Sequence, residues 1–263
     1  MPKLAAALEN LADMNLAEVA RIHHRWQPAA RLVEQGGLLC HQGTVPIPAP
    51  FQNCMMRTDK ALPAGEAMDR ADAFFGGSSN PYAVHTFGRR DADLEQVLSE
   101  RGFIRQTDLP AMLVDQPVSM PTIDASWRLT LARSEDDITA FIHVSAQAYE
   151  SLGLPSFLTP SYFVKRDGLM DPQVSIVIAR GQDGTPTAAA MALHTGEMGG
   201  LYWVGTLPQG RGAGLAAACT AMATNLAFDR GARAVTLQAS HMGEAIYRRL
   251  GYREYGRTAR WSR

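Results

Sequence analysis

The chain has 263 residues, of which 46% are hydrophobic and 19% charged, so it can bury a real core and has room for one large domain or two small ones. Its 25 basic and 26 acidic side chains leave a net charge of -1, which removes the electrostatic case for nucleic acid or an anionic membrane as partner. Three scattered cysteines, Cys40, Cys54 and Cys219, form no disulfide framework and fit a reducing compartment, so the expected location is cytoplasmic.

In chain order, MPKLAAALENLADMNLAEVARIHHRW reads as an amphipathic helix. Glu9, Asp13 and Glu18 break its apolar run, so neither a signal peptide nor a membrane span is expected. ADAFFGG ends a second helix, PYAVHTF is a strand, DADLEQVLSERG a helix, and FIRQTDLPAMLVD returns as strands. Pro117 and Pro121 interrupt regular structure in DQPVSMPTIDAS, residues 115–126, and the domain boundary is placed there, with 1–118 before it and 127–263 after. Acidic residues exceed basic ones before this linker and the reverse holds after it, which makes the second half the expected host of an anionic ligand.

Beyond the linker, WRLTLAR is a strand and SEDDITAFIHVSAQAYES a helix with Ser134 as N-cap and Glu135 to Asp137 in its first turn. Leu152 to Pro172 is irregular and aromatic, the expected specificity loop. VSIVIAR and TAAAMALH form a hairpin around GQDGT, and TGEMGG turns into the strand LYWVGT. The helix in LAAACTAMATNLAFDRG sets Leu215, Cys219, Met222 and Leu226 on one face and stops at Gly231. AVTLQAS, GEAIYRRLG and YREYGRTARW follow as strand, short helix and strand. The first half repeats the end of this pattern: laying Gly102-Phe103 on Gly251-Tyr252 sets Leu98 opposite Tyr247. A degenerate internal duplication is expected, the alternative being two α/β units that share a generic rhythm.

The stretch richest in chemistry is Val204-Gly205-Thr206-Leu207-Pro208-Gln209-Gly210-Arg211-Gly212-Ala213-Gly214-Leu215-Ala216, between a strand and a helix. Glycines let successive N–H groups turn toward one point, the first turn of a helix leaves its N–H groups unpaired, and Arg211 adds a planar cation, so the loop suits a pyrophosphate. Gly212-x-Gly214 also opens a dinucleotide fingerprint, but the next strand ends in Gln238-Ala239-Ser240 without the acid a ribose requires. A Walker loop would need Gly-Lys-Ser/Thr, which is missing. A plain tight connection is the structural alternative.

Together these residues resemble the GNAT superfamily of CoA-dependent N-acyltransferases, in the Arg211-Gly-Ala-Gly214-Leu-Ala216 loop with Thr206 and Pro208 before it, and in Tyr247-Arg-Arg-Leu-Gly251-Tyr252 downstream, with Ser240 seven residues before the tyrosine. The resemblance covers about 127–263, and the first half is similar to the cofactor-less copy of tandem members. It implies an α/β fold of two GNAT-like modules, each a mixed, mostly antiparallel sheet flanked by helices: a degenerate module over 1–118 without the cofactor loop, and an acetyl-CoA-binding catalytic domain over 127–263. It further implies that the backbone of Val204, Gly205 and Thr206 pairs with the pantetheine arm and polarises the thioester, that Arg211, Gly212, Ala213, Gly214, Leu215 and Ala216 hold the pyrophosphate, and that Tyr247 is the general acid. Ser240 either bonds the pantetheine or caps the next helix.

The expected activity is acetyl transfer from acetyl-CoA to a small-molecule or peptide amine by direct attack in a ternary complex; the alternative is a non-catalytic acyl-CoA-binding regulatory module. A homodimer is compatible with this, and nucleic acid, membrane and metal are not expected. Neither Leu201 to Thr206 nor Val235 to Ser240 supplies the acid that many relatives use as base, which leaves Glu197, His194, His241 and Glu244 as weaker candidates, or water. His23, His24, His41 and His85 lack metal-ligand spacing and read as structural, Cys219 as helix core. Trp127, Tyr149, Phe157, Tyr162, Phe163, Tyr202 and Trp203 are divided between core and acceptor wall.

Overall fold

In the computed structural model, which describes residues 2–45, 52–76 and 81–263, the first periodic stretch forms α1 (Pro2–Trp26), burying Leu8, Ala12, Leu16, Val19, Ala20 and Trp26 along one stripe. Three strands follow that the sequence left unassigned, β1 (Arg31–Gln35), β2 (Leu38–Gln42) and β3 (Asn53–Arg57). Then come α2 (Ala64–Phe75), β4 (Ala83–Phe87), α3 (Ala92–Glu100) and β5 (Ile104–Val114), the last one continuous strand. Residues 115–127 hold no helix or strand.

The second half runs β6 (Arg128–Leu131), α4 (Glu135–Glu150), two 3-10 segments (Ser156–Tyr162 and Arg166–Met170), β7 (Val174–Arg180), β8 (Pro186–Thr195), β9 (Met198–Thr206), α5 (Leu215–Asp229), β10 (Ala234–Gln238), α6 (Glu244–Arg249) and β11 (Arg253–Ser262). Ser134 caps α4 by accepting from the Asp137 N–H at 3.2 Å. The linker lies along α5: Asn225 accepts from the Val118 N–H at 2.8 Å and donates to the Val118 carbonyl at 2.9 Å. Helix α5 packs differently from expectation. Leu215 and Cys219 are buried, but Met222 and Leu226 are only partly so, and the contact face is made of Ala218, Ala221, Ala223 and Ala227. Small side chains let the helix lie close on the alanines of β8, Ala188, Ala190 and Ala192.

The expectation of two modules, each with its own sheet, is corrected by the topology. All eleven strands form one sheet in the order β1-β2-β3-β4-β11-β5-β10-β9-β8-β7-β6. Each half gives its last strand to the other: β5 pairs with β10, β11 pairs with β4, and β5 and β11 pair with each other, all antiparallel. Two edges that would otherwise be unpaired satisfy one another. The halves nevertheless repeat a geometry. Among the described residues, parallel pairing occurs only between β3 and β4 and between β9 and β10, each over three residue pairs. The Phe103 N–H bonds the Leu98 carbonyl at 2.9 Å and the Tyr252 N–H bonds the Tyr247 carbonyl at 3.0 Å, through Gly102 and Gly251 at φ 78 and 95°.

The main core lies on the inner face, where α1 and α4 meet Leu39, Cys54, Met56 and Phe87 from the first half and Ile176, Met191 and Leu193 from the second. Separate cores lie under α5 and α6 and under α2 and α3.

Candidate functional site

Strands β9 and β10 pair only from Met198 to Gly200 against Ala234 to Thr236, after which β9 follows β8 and β10 follows β5, and a wedge opens between them. A bulge shapes its β9 side. The β8 register jumps from Ala189–Gly205 to Met191–Tyr202, so Trp203 and Val204 together oppose Ala190, with Trp203 at φ 53°. Strict alternation would put neighbours on opposite faces, yet Tyr202 and Trp203 both pack into the inner core.

Past the end of β9, the loop turns through Gly212 and Gly214 at φ 81 and 75°, a conformation that disfavours a side chain. The first helical bond of α5 runs from the Ala218 N–H to the Gly214 carbonyl at 3.0 Å, so the N–H groups of Leu215, Ala216 and Ala217 have no partner within the helix, and its first turn holds no acid. These amides border a cleft of about 380 Å³.

The structure brings Val204, Gly205, Thr206, Arg211, Gly212, Gly214, Leu215, Ala216, Ser240 and Tyr247 together around that cleft. Ala213 is not on its wall and is half-buried against the core under α5. Tyr247 is 8% exposed, its ring so close to Gly243 that a Cβ there would lie 2.7 Å from Cε2, and burial pushes its phenol up to about 12. Ser240 caps the turn into α6: its Oγ and its carbonyl accept from the Gly243 N–H at 3.2 and 2.9 Å.

Further residues line this cleft, among them Tyr149, one of the aromatic residues that the sequence divides between core and acceptor wall. Tyr149, at the end of α4, has its ring 4.9 Å from that of Trp203; burial raises its pKa, and the facing backbone of Trp203 and Val204 partly opposes this. Arg249 also lines the cleft. Arg248 is taken up by Glu244 and Glu254, each at 2.8 Å, whereas Arg249 has no ion pair or hydrogen bond among the described residues. Among the described residues the Arg211 guanidinium has a single hydrogen-bond partner, the Ser151 hydroxyl at 3.4 Å.

None of the weaker base candidates lines the cleft. Glu197 pairs with Arg233 at 3.0 Å, Glu244 with Arg248, and His194 contacts the Ser175 hydroxyl at 3.1 Å, its pKa lowered by burial to about 4. His241 is exposed. Burial raises the Cys219 thiol to about 12. Of the aromatic set, Tyr162, Phe163 and Trp203 cluster around His23, Tyr149 meets Trp203 from the cleft wall, Trp127 packs toward α5, and Phe157 is 78% exposed. Tyr202 donates to Asn15 Oδ1 at 2.5 Å. Among the described residues no group of three His, Cys, Asp or Glu could hold a metal ion, and no helix is long and apolar enough to cross a membrane.

The wedge between β3 and β4 is closed by side chains. Arg57, at the end of β3 and fully buried, donates to Asp91 at 2.9 Å, to Asp93 at 2.6 Å and to the Leu62 carbonyl at 3.1 Å, while Asp91 accepts from the Phe87 N–H at the end of β4. Leu98, equivalent to Tyr247, is buried.

No family model and no curated protein matches this sequence. Solved structures share its architecture. A GCN5-related N-acetyltransferase from Kribbella flavida superposes with a TM-score of 0.72 at 22% identity, over 96% of this chain and 93% of that one. A GCN5-related N-acetyltransferase from Sphaerobacter thermophilus gives 0.58 at 14% identity, over 88% and 82%. A tandem GNAT protein from the clavulanic acid biosynthesis pathway gives 0.63 at 14% identity, over 93% and 87%.

Proposed function

We propose that this chain, which has the GNAT fold, is an acetyl-CoA-dependent N-acetyltransferase acting on a small-molecule or peptide amine. The observation that carries this reading is the convergence on one cleft of the parted strand β9, the free amides of α5 and the Tyr247 phenol. The cleft fits an acyl-CoA. Its glycines at positive φ leave the α5 amides open, and Arg211 and Arg249 are two cations with no acid partner among the described residues, a donor set for phosphate oxygens.

Bound acetyl-CoA supplies the activated acyl group. The loop from Arg211 to Ala216 holds its pyrophosphate, with Arg249 facing it from α6. The backbone of Val204, Gly205 and Thr206 aligns the pantetheine arm, and a fixed N–H at the bulge is placed to stabilise charge developing on the thioester oxygen. The amine attacks that carbonyl directly, so no enzyme nucleophile is required, in keeping with a buried, protonated Cys219. Tyr247 holds its proton up to about 12 and delivers it to the departing thiolate. With no acid on the wedge faces of β9 and β10, the proton of the amine leaves through water.

Calorimetric titration of acetyl-CoA and CoA into the wild type and into an Arg211→Glu/Gly214→Trp variant tests the binding half, and thiol release with an amine panel tests the chemistry. Wild type should bind and the variant should not. Tyr247→Phe should keep binding and lose about 10²-fold or more in kcat. Binding without turnover on any amine favours a regulatory acyl-CoA sensor, and absence of binding removes the reading altogether.

A further inference from the structure

On the inner face, a second polar group plays no part in the cleft. Arg260 of β11 stands in register with His85 of β4 on one side and Thr107 of β5 on the other. Its neighbours Ala259 and Trp261 pack under α2 and α3, so alternation directs Arg260 to the inner face, where its charge is felt by the Tyr162 phenol. His85 shares that face, since Val84 lies in the core under α2 and α3 and Phe87 in the inner core. The group is largely dry. His85 is 7% and Tyr162 2% exposed, and both His85 Nε2 and Arg260 Nε are buried without a hydrogen-bond partner among the described residues.

A guanidinium drawn out of water is tolerated when an anion or a full set of acceptors repays its lost hydration. Arg260 has neither. No hydrogen bond or ion pair engages it among the described residues, and the group that favours its charge is a phenol. Burial keeps His85 neutral, with a pKa of about 3, and keeps Tyr162 protonated, so the group presents one permanent cation and a phenolic donor, with an imidazole and the Thr107 hydroxyl alongside. That is a receptor for a carboxylate, which the planar fork of an arginine matches.

A chain of buried aromatic rings connects this group to the acyl-transfer cleft. Tyr162 is 5.2 Å from Trp203, and Trp203, on the bulge, is 4.9 Å from Tyr149 on the cleft wall. An acceptor that spans these two ring contacts must carry its amine many bonds away from its carboxylate.

We propose that Arg260, with His85 and Tyr162, forms the carboxylate subsite of the acceptor, and that the acceptor is an ω-amino carboxylate or short peptide whose amine reaches the β9 bulge while its carboxylate rests on Arg260. The amine half of this statement rests on the acetyltransferase reading; the carboxylate half does not.

The test uses the full chain as wild type, Arg260→Gln and Arg260→Lys, with 6-aminohexanoate and triglycine as probes and their C-terminal amides as controls. Calorimetry without acetyl-CoA should show the carboxylates binding wild type at least tenfold tighter than the amides, with that preference lost in Arg260→Gln and partly kept in Arg260→Lys. In the thiol-release assay Arg260→Gln should raise KM for the carboxylate acceptors tenfold or more, leaving kcat and the acetyl-CoA Kd unchanged. Because the guanidinium lacks a counter-ion in the free chain, Arg260→Gln should melt no lower than wild type. Equal affinity for acids and amides, or a preference that survives Arg260→Gln, overturns the proposal, as does a large loss of stability in that variant. Absence of turnover with every amine would sink the acetyltransferase reading, while the acid-against-amide difference in binding would still decide the role of Arg260.

Discussion

Replacing Arg57 by Met tests whether the first wedge is closed by a buried ion pair. The side chains of Arg57 and Asp91 are both 0% exposed, and Arg57 makes five hydrogen bonds, to Asp91, Asp93 and the Leu62 carbonyl. Without it, Asp91 keeps the Phe87 N–H at 3.0 Å and the Arg90 Nε at 3.5 Å, an incomplete substitute. Breaking a buried pair costs about 3–5 kcal/mol, and the residual contact with Arg90 points to the lower end. At about 2–4 °C per kcal/mol for a chain of this size, Tm should fall by about 6–12 °C. The loss should also depend on pH. Arg57 holds the Asp93 carboxyl at about 2, below its ordinary 3.8, so this part of the stability is complete above pH 3.8 and disappears as pH falls toward 2. Scanning calorimetry from pH 7 down to pH 2, with acetyl-CoA titrations on the same samples, measures both effects. A Tm change under 2 °C, or an acetyl-CoA Kd that moves more than about twofold, would refute the view of this wedge as a sealed structural joint.

Acid should unfold the protein through its histidines before its carboxylates. His23 and His85 have pKa values lowered by burial to about 3, and His41 and His194 to about 4, against an ordinary 6.5, so the unfolded chain takes up protons the native one refuses. Stability is therefore complete above pH 6.5 and falls below it, by up to about 1.4 kcal/mol per pH unit for each histidine, which a Tm profile from pH 7.5 to 4.5 would reveal or exclude. Arg249→Glu should weaken acetyl-CoA binding by about tenfold or more with an unchanged Tm, whereas Arg248→Glu, which removes a cation already paired to two acids, should have a smaller effect on affinity; calorimetry separates them. Gly200→Ala would bring a Cβ within 1.9 Å of Asn15 Oδ1, forcing α1 away from β9 at about 1–3 kcal/mol, visible as a lower denaturant midpoint.

Much of the second half was legible because its signals are local. The Ser134 cap, the Gly212 and Gly214 loop and the Tyr247-to-Tyr252 turn each declare themselves within a few residues. Strands β1 to β3 were not legible. β1 is largely exposed and β2 and β3 are almost wholly buried, so none shows the alternation that marks a half-buried strand. The single sheet was hidden for a different reason. The pairing of β11 with β4 depends on contacts between residues more than 170 positions apart, such as Trp261 with Val84, which no local pattern encodes. Arg249 and Arg260 were missed because a charged residue announces a site only through the partners it lacks, and those are visible only in three dimensions.

The place of β11 also governs how the chain can be made. As the ribosome releases the first half, β4 has no neighbour on one side and β5 has neither of its own, because both wait for strands from the second half. The first 118 residues therefore emerge as a nascent chain with three strand edges still waiting for partners, the kind of surface that recruits chaperones or a second copy of itself. Expression of either half alone should yield insoluble or strand-swapped material. Cleavage within residues 115–127 of the finished protein should instead leave the two pieces held together by the reciprocal strands, parting only when the sheet itself unfolds.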